Sequence, residues 1–137
     1  MKNPFHLAIP VDNLNLAVDF YEKTLGCQRG RSSDSWIDFN LFGHQLVCHF
    51  VEEHPQGNSN LVDGDDVPVP HFGVILNYDQ FDELKRNLKN NNQSFLIKPR
   101  VRFKGQAGEQ MIMFIKDPSG NAIEFKAFKN IESLFKV

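Results

Sequence analysis

The order of elements predicted from the sequence runs twice along the chain, and this repeat restricts the fold more than any other feature. Each half opens with a short apolar strand that carries a histidine, His6 or His71. An amphipathic helix and three further strand-like stretches follow in both halves. The apolar stripes of the two helices begin at Leu14 and Phe81 and share the same internal spacing. We therefore predict an α+β fold of two βαβββ modules, the pattern expected of a duplicated unit.

The two modules are expected to form a single domain over residues 1–137, a length that fits one domain. They cover about residues 4–51 and 69–128. The intervening residues 52–69 are rich in Asp, Asn, Gly and Pro, so they are predicted to form a long connecting loop.

Composition and charge exclude several classes of partner. The net charge is −2, with 15 basic and 17 acidic residues, whereas proteins that bind nucleic acid usually carry a basic excess. No apolar run approaches the roughly 20 residues that span a bilayer, and no signal-peptide core is present. Cys27 and Cys48 form no Cys-x-x-Cys pair, which favours reduced thiols. We expect a cytoplasmic protein that binds neither nucleic acid nor membrane.

Two histidines and one carboxylate are the sequence features that point to chemistry. His6 and His71 occupy equivalent places on the first strand of each module. Glu124 lies among apolar residues of the last strand, where a carboxylate costs several kcal/mol to bury unless it is paired or binds a metal. Two imidazoles and a carboxylate can hold a divalent transition metal and leave positions open for a substrate. His6, His71 and Glu124 are therefore the predicted metal ligands.

His49 is the predicted fourth residue of the site. It lies on the last strand of the first module, near the place that Glu124 has in the second. The steps from Gly43 to His49 and from Gly120 to Glu124 are both even, so each side chain faces the same way relative to its turn glycine. His49 is then either a fourth ligand or a catalytic base beside the metal, and an ordinary strand histidine is the alternative.

Basic residues alternate along two equivalent strands, and alternation places each set on one face of a sheet. Arg29 and Arg31 lie in the first module, and Arg100, Arg102 and Lys104 lie in the second. Arg31, Arg102 and Lys104 are candidates for binding a carboxylate or phosphate of a substrate. A solvated strand face is the alternative interpretation.

The segment of residues 117–125, Asp-Pro-Ser-Gly-Asn-Ala-Ile-Glu-Phe, is similar to the Asp-Pro-x-Gly-Asn-x-Ile-Glu signature of the vicinal oxygen chelate superfamily. This superfamily contains glyoxalases, bleomycin-binding proteins and extradiol dioxygenases. Other stretches resemble a bacterial branch of predicted extradiol-type dioxygenases, and they span residues 30–33, 36–39, 42–47, 69–74 and 102–106. The resemblance covers nearly the whole chain.

The resemblance implies that the two modules form a cup-shaped mixed sheet around a metal site. His6, His71 and Glu124 match three of the metal ligands of the superfamily. His49 falls where glyoxalases have a fourth ligand, which is usually Glu, so a histidine there departs from the pattern. Short members with two modules often pair their modules across subunits, which implies a homodimer.

Three functions are compatible with this resemblance. The first is a dioxygenase that opens the ring of a catechol-like substrate with O2, uses Fe(II) or Mn(II), and has His49 as its acid–base group. The second is a glyoxalase-type lyase or isomerase that stabilises an enediolate, with Ni(II), Co(II) or Zn(II) bound by His49 as well. The third is a small-molecule binding protein without catalysis, against which the presence of the ligands counts.

Overall fold

The computed structural model describes residues 3–137 and divides them into two units. Unit 1 contains the chain up to Gln56 together with Asp117–Asn121. Unit 2 contains Gly57–Lys116 together with Ala122–Val137. Each unit has a four-stranded mixed sheet, and a helical segment connects the first two strands of that sheet. This arrangement confirms the α+β class and the βαβββ order.

The sheet of unit 1 has the strand order β1-β4-β3-β2, in which β1 is parallel to β4 and the other pairs are antiparallel. The strands are β1 His6–Val11, β2 Gln28–Ser32, β3 Trp36–Leu41 and β4 His44–Phe50. Between β1 and β2 runs the helix α1, Leu14–Val18, which continues as a π-helical segment over Asp19–Thr24.

The helical segment of unit 1 begins after Asn13 and ends before Gly26. The side chain of Asn13 accepts a hydrogen bond from the Leu16 N–H, as an N-cap does. Gly26 follows the last turn with φ 73°, a left-handed conformation that glycine adopts readily after a helix.

Strand alternation gives the unit 1 sheet one apolar and one largely polar face. The apolar face contacts the helical segment, where the ring of Tyr21 packs 5.2 Å from that of Phe39. The polar face carries His6, Asp38, Gln45, Val47 and His49. The predicted chemistry of unit 1 therefore lies on the face opposite the helix.

The turn Asp117–Asn121 belongs to unit 1, although it follows a strand of unit 2. The buried Tyr21 hydroxyl donates to the Asp117 carboxylate at 2.9 Å, and burial raises the pKa of Tyr21 well above its usual value. The Asn121 side chain donates to the Pro10 carbonyl at 2.8 Å. The signature segment thus starts with a structural anchor for unit 1.

Unit 2 begins with a β-hairpin where the sequence predicted a loop over residues 52–69. Its strands are β5 Asn58–Val62 and β6 Asp65–Val69. Asp63 and Gly64 form a two-residue turn with φ 45° and 84°, as tight hairpin turns require. The loop prediction was wrong because the polar composition of this stretch hid a strand–turn–strand pattern.

The main sheet of unit 2 has the order β7-β10-β9-β8, with β7 parallel to β10. Its elements are β7 Phe72–Leu76, the helix α2 Tyr78–Asn90, β8 Ile97–Arg102, β9 Gln110–Lys116 and β10 Ala122–Ala127. A short 3₁₀-helix follows at Ile131–Phe135. The predicted stripe of α2 is buried and consists of Phe81, Leu84 and Leu88.

The hairpin packs on the face of the unit 2 sheet that carries Glu124. Val67 of β6 is buried against Ile112 and Phe114 of β9. Phe114 is also the register partner of Glu124 on β10. An apolar layer therefore lies beside the carboxylate and limits its contact with water.

Cys27 and Cys48 are buried free thiols. Burial raises the pKa of the Cys27 thiol to about 12 and also raises the pKa of Cys48. Both thiols are therefore protonated and unreactive at neutral pH. Within the described part of the chain, helices long and apolar enough to cross a membrane are absent.

Candidate functional site

His71 and Glu124 form a close pair within unit 2. His71 Nε2 lies 3.0 Å from Glu124 Oε2, and the carboxylate side chain is only 3% exposed. His71 Nδ1 lies 2.7 Å from the Pro68 carbonyl oxygen. Because a carbonyl only accepts, Nδ1 must carry a hydrogen and Nε2 faces the carboxylate. The hydrogen bond that His71 Nε2 donates to the Glu124 carboxylate raises the pKa of His71, which favours a proton on Nε2.

Arg102 occupies a setting that the sequence did not predict. Its side chain is 3% exposed and lies between two carboxylates. Nη1 is 3.2 Å from Glu124 Oε1, and Nη2 is 3.1 Å from Asp65 Oδ2. Both Nη atoms of Arg102 are therefore occupied by ion pairs within the protein, which supports a role of Arg102 in orienting Glu124. The substrate contact proposed for Arg102 stays a prediction.

Sequence reasoning missed Asp65, which lies in the stretch predicted as a loop. Its Oδ2 accepts from Arg100 at 2.9 Å as well as from Arg102. The alternation of Arg100 and Arg102 was the one sequence feature that could indicate such a residue. If either arginine is buried, it needs an acidic partner. Nothing local in the sequence identifies which aspartate supplies it.

In unit 1, a hydrogen-bonded chain fixes the orientation of His6. Gln45 Nε2 donates to Asp38 Oδ2 at 3.2 Å, so the Gln45 oxygen faces the histidine. His6 Nδ1 lies 2.8 Å from that oxygen and must therefore be the donor. Asp38 is 8% exposed, whereas His6 and Gln45 lie on the exposed face of the sheet. His6 thus leaves its Nε2 lone pair unused.

Both candidate histidines carry a hydrogen on Nδ1, which they donate to an oxygen of Gln45 or Pro68. Their Nε2 atoms point away from that oxygen. Metal-binding histidines are usually held in this way, by a carbonyl or other acceptor on the second ring nitrogen. Imidazole nitrogen and carboxylate oxygen also suit divalent transition metals. The donor chemistry of His6, His71 and Glu124 therefore fits such an ion.

The structure brings together two of the three predicted ligands, His71 and Glu124, and both belong to unit 2. His6 belongs to unit 1. Among residues 3–137, no group of three or more His, Cys, Asp or Glu side chains is arranged to hold a metal ion. Metal binding by all three residues stays a prediction.

His49 lies on the same face of β4 as Gln45, as the strand spacing predicts. It is the register partner of Pro10, whereas Gln45 is the partner of His6. His49 lies four positions after Gln45 on an extended strand, which corresponds to about 13 Å. His49 is therefore not a neighbour of His6 on the unit 1 sheet, and its role as a fourth ligand or as a base beside the metal stays a prediction.

The registers also correct the match between His49 and Glu124. On β10, Glu124 pairs with Gly73, two residues after the histidine that precedes β7. The matching pair in unit 1 is Val47 with Ala8, two residues after the first histidine. Val47 is apolar and 6% exposed. The match was misplaced by two residues because it used only the even parity of the steps. His49 lies six residues after Gly43, whereas Glu124 lies four residues after Gly120, and the residue four after Gly43 is Val47.

The remaining basic candidates differ in setting. The Arg31 side chain is 84% exposed, and its Nε lies 3.9 Å from Asp38 Oδ2, so its guanidinium is accessible to an anionic group. Lys104 lies beyond the end of β8, after Phe103, which has φ 56°. The predicted alternation therefore stops at Arg102, and Lys104 lies in a turn. Substrate binding by Arg31 and Lys104 stays a prediction.

Comparison with known proteins identifies the family to which this fold belongs. Residues 4–125 match the family described as the Glyoxalase/Bleomycin resistance protein/Dioxygenase superfamily. A crystal structure of a glyoxalase/bleomycin resistance protein/dioxygenase from Alicyclobacillus acidocaldarius is 32% identical with a TM-score of 0.81. That alignment covers 98% of this chain and 97% of the other.

Two more distant structures share the fold. The fosfomycin resistance protein FosX from Listeria monocytogenes is 15% identical with a TM-score of 0.72, over 98% of this chain and 99% of that one. The lactoylglutathione lyase from Agrobacterium tumefaciens is 16% identical with a TM-score of 0.65, over 94% and 96%. On the family match and the Alicyclobacillus relative together, this chain belongs to the glyoxalase/bleomycin resistance protein/dioxygenase superfamily.

Proposed function

We propose that this chain is a metal-dependent dioxygenase of the extradiol type, which opens the ring of a catechol-like small molecule with O2. Enzymes of its superfamily typically use divalent metals. His6, His71 and Glu124 would hold the ion, with Fe(II) or Mn(II) as the proposed metal. Two histidines and one carboxylate form the donor set that non-haem Fe(II) oxygenases use.

One observation carries this choice over a glyoxalase-type enzyme. The position of unit 1 that matches Glu124 is occupied by the buried, apolar Val47. A four-ligand shell with a second carboxylate at that position is therefore not available. Three protein ligands leave positions for both a bidentate substrate and O2.

When bound, a divalent metal supplies a Lewis acid that polarises substrate oxygen atoms, and Fe(II) or Mn(II) also supplies reactivity toward O2. The protein's own groups orient the donors and move protons. His71 and Glu124 are oriented by Pro68 and Arg102. His49 would accept the proton of a substrate hydroxyl, since imidazole is the side chain most often used as a general base. Arg31 would bind an anionic substituent.

The test combines metal analysis with O2 consumption. Protein purified without added metal is analysed for bound metal and then assayed with a panel of catechols in an oxygen electrode. We expect Fe(II)- or Mn(II)-dependent O2 uptake in the wild type. Metal-dependent proton transfer on an α-hydroxycarbonyl compound without O2 uptake would instead establish the lyase or isomerase alternative. Binding without turnover would establish the non-catalytic one.

His49→Ala tests the proton-transfer role within the same assay. We expect the variant to retain its metal and to lose O2 uptake. Loss of the metal would indicate a fourth ligand, and no change in either property would show that His49 is a bystander.

We also propose that the chain acts as a homodimer, on the basis of the pairing of modules across subunits in short members of the superfamily. Light scattering should then give twice the 15.7 kDa chain mass. Mixing His6→Ala protein with His71→Ala protein should restore part of the activity if the two histidines of one site come from different subunits. A monomer mass at micromolar concentration would contradict the proposal.

A further inference from the structure

Strand β6 contacts both candidate ligands of unit 2, one directly and the other through a side chain. The Pro68 carbonyl accepts from His71 Nδ1 at 2.7 Å. Asp65 Oδ2 accepts from Arg102 Nη2 at 3.1 Å, and Arg102 in turn binds the second ligand. Between them, Val67 packs into the apolar layer of the sheet. The hairpin is therefore attached to the sheet by three kinds of contact around the ligand pair.

Arg102 connects the hairpin to Glu124 through two ion pairs. Its Nη1 binds Glu124 Oε1, and its Nη2 binds Asp65. Its buried Nε has no hydrogen-bond partner among the residues that the structure describes. The two carboxylates are thus the groups that orient this guanidinium.

The charges explain why a second carboxylate matters. With Asp65 present, Arg102 is shared between two carboxylates, one of which also binds Arg100, so Glu124 keeps negative charge to offer a cation. Without Asp65, Arg102 would neutralise Glu124 alone in a buried setting, where charges interact more strongly than in water. The attraction of Glu124 for a divalent ion would then fall.

We propose that the β5–β6 hairpin positions the candidate metal ligands of unit 2, and that Asp65 acts on Glu124 through Arg102. The inference rests on the proposed metal-dependent function. It assigns roles to Asp65 and to the hairpin as positioning groups, which touch neither metal nor substrate.

The test compares two aspartates of the same hairpin. Asp65→Asn keeps the shape and removes the charge. Asp63→Asn is the matched control, because Asp63 binds Arg100 Nη2 at 2.9 Å and makes no contact with Arg102 or Glu124 in the described structure. Both variants lose one negative charge from the same turn region, so general charge effects cancel in the comparison.

Affinity for Mn(II) alone is measured by calorimetry, and the Mn(II) environment is followed by electron paramagnetic resonance. We expect Asp65→Asn to weaken binding by about 10- to 100-fold, the usual effect of losing a residue that supports a ligand. Asp63→Asn should change the affinity by no more than about twofold. Thermal unfolding of both variants reports their stability separately, and a purely structural role would lower stability without changing Mn(II) affinity.

A double-mutant cycle with Arg102→Gln tests the route of the effect. If Asp65 acts through Arg102, Asp65→Asn should not change the affinity when Arg102→Gln is already present. Arg102→Lys, which cannot pair with both carboxylates in the same way, replaces this background if Arg102→Gln does not fold. Additive losses, or equal losses for Asp63→Asn and Asp65→Asn, would overturn the inference.

The design separates this inference from the proposed activity. It needs neither substrate nor O2, so a failure to find dioxygenase activity leaves it standing. Wild-type binding of Mn(II) with an unchanged Asp65→Asn affinity would overturn the positioning role alone. Absence of Mn(II), Fe(II), Co(II) or Zn(II) binding in the wild type would overturn both.

Discussion

The two units hold the Nδ1 atoms of their histidines in the same way but place the rings in different electrostatic settings. His6 donates to the amide of Gln45 on an exposed face of unit 1. His71 donates to the Pro68 carbonyl and faces the buried carboxylate of Glu124 in unit 2. The orientation of the ring is therefore common to both units, whereas the negative charge is present beside only one of these rings. A duplicated unit can keep the geometry of a ligand while it changes the charge around it.

The charge difference predicts a large difference in metal affinity between two substitutions. Glu124→Gln removes a ligand charge from unit 2, and we expect Mn(II) affinity to fall by more than about 100-fold, beyond the effect of losing a supporting residue. Gln45→Ala removes only the acceptor of His6 and should cost about tenfold. Metal stoichiometry after gel filtration and calorimetry measure both, with circular dichroism as the check on folding. Full stoichiometric metal in Glu124→Gln would refute the ligand assignment.

The close approach of strands differs between the units at matching positions. A Cβ atom on Gly73 would overlap the backbone carbonyl of Glu124, whereas unit 1 has Ala8 at the equivalent register position. Gly73→Ala should therefore destabilise the protein by about 3 kcal/mol through overpacking. Ala8→Gly should cost about 0.5–1 kcal/mol, the usual penalty of glycine in a strand. Urea unfolding measures both, and similar values for the two variants would show that β7 and β10 can separate without cost.

The contrast in burial predicts different stabilities for the two histidine variants. His71→Ala removes a hydrogen-bond partner from the buried Glu124 and should cost about 1–3 kcal/mol in the metal-free protein. His6→Ala removes an exposed side chain and should stay within about 0.5 kcal/mol of the wild type. Both free energies of unfolding are measured in the presence of a chelator. A larger effect for His6→Ala would reverse the comparison.

The pH dependence of stability should also come from unit 2. The hydrogen bond to Glu124 raises the folded-state pKa of His71 above the unfolded value of about 6.5. This pair therefore contributes its full stability below pH 6.5 and loses it as the pH rises through the folded pKa. Chelator-treated wild-type protein should become less stable over that range. The decline should be smaller in His71→Gln and unchanged in His6→Gln, which is the control.

Local patterns in the sequence were sufficient for most elements of this fold. The apolar spacing of α2 and the cap at Asn13 act over a few residues, so they could be recognised without a structure. The predicted ligands His71 and Glu124 proved to be neighbours because β7 and β10 pair in parallel.

What the sequence could not supply were contacts between distant residues. Asp65 and Arg102 are 37 positions apart, so neither identifies the other as a partner. The acceptor of His6 is Gln45, whose neutral amide gave no chemical signal. The match of His49 with Glu124 failed because an even step from a turn glycine fixes the face of the strand and not the position along it.

The place of the turn Asp117–Asn121 in unit 1 has a consequence for the order of folding during synthesis. Asp117 of this turn contacts Tyr21, which is 96 positions away in the chain. Asn121 contacts Pro10, which is 111 positions away. A nascent chain that ends before the turn can pair all four strands of unit 1 but leaves the Tyr21 hydroxyl without its acceptor. Unit 1 therefore reaches its final structure only after most of unit 2 has been translated. Long sequence separation of this kind slows folding.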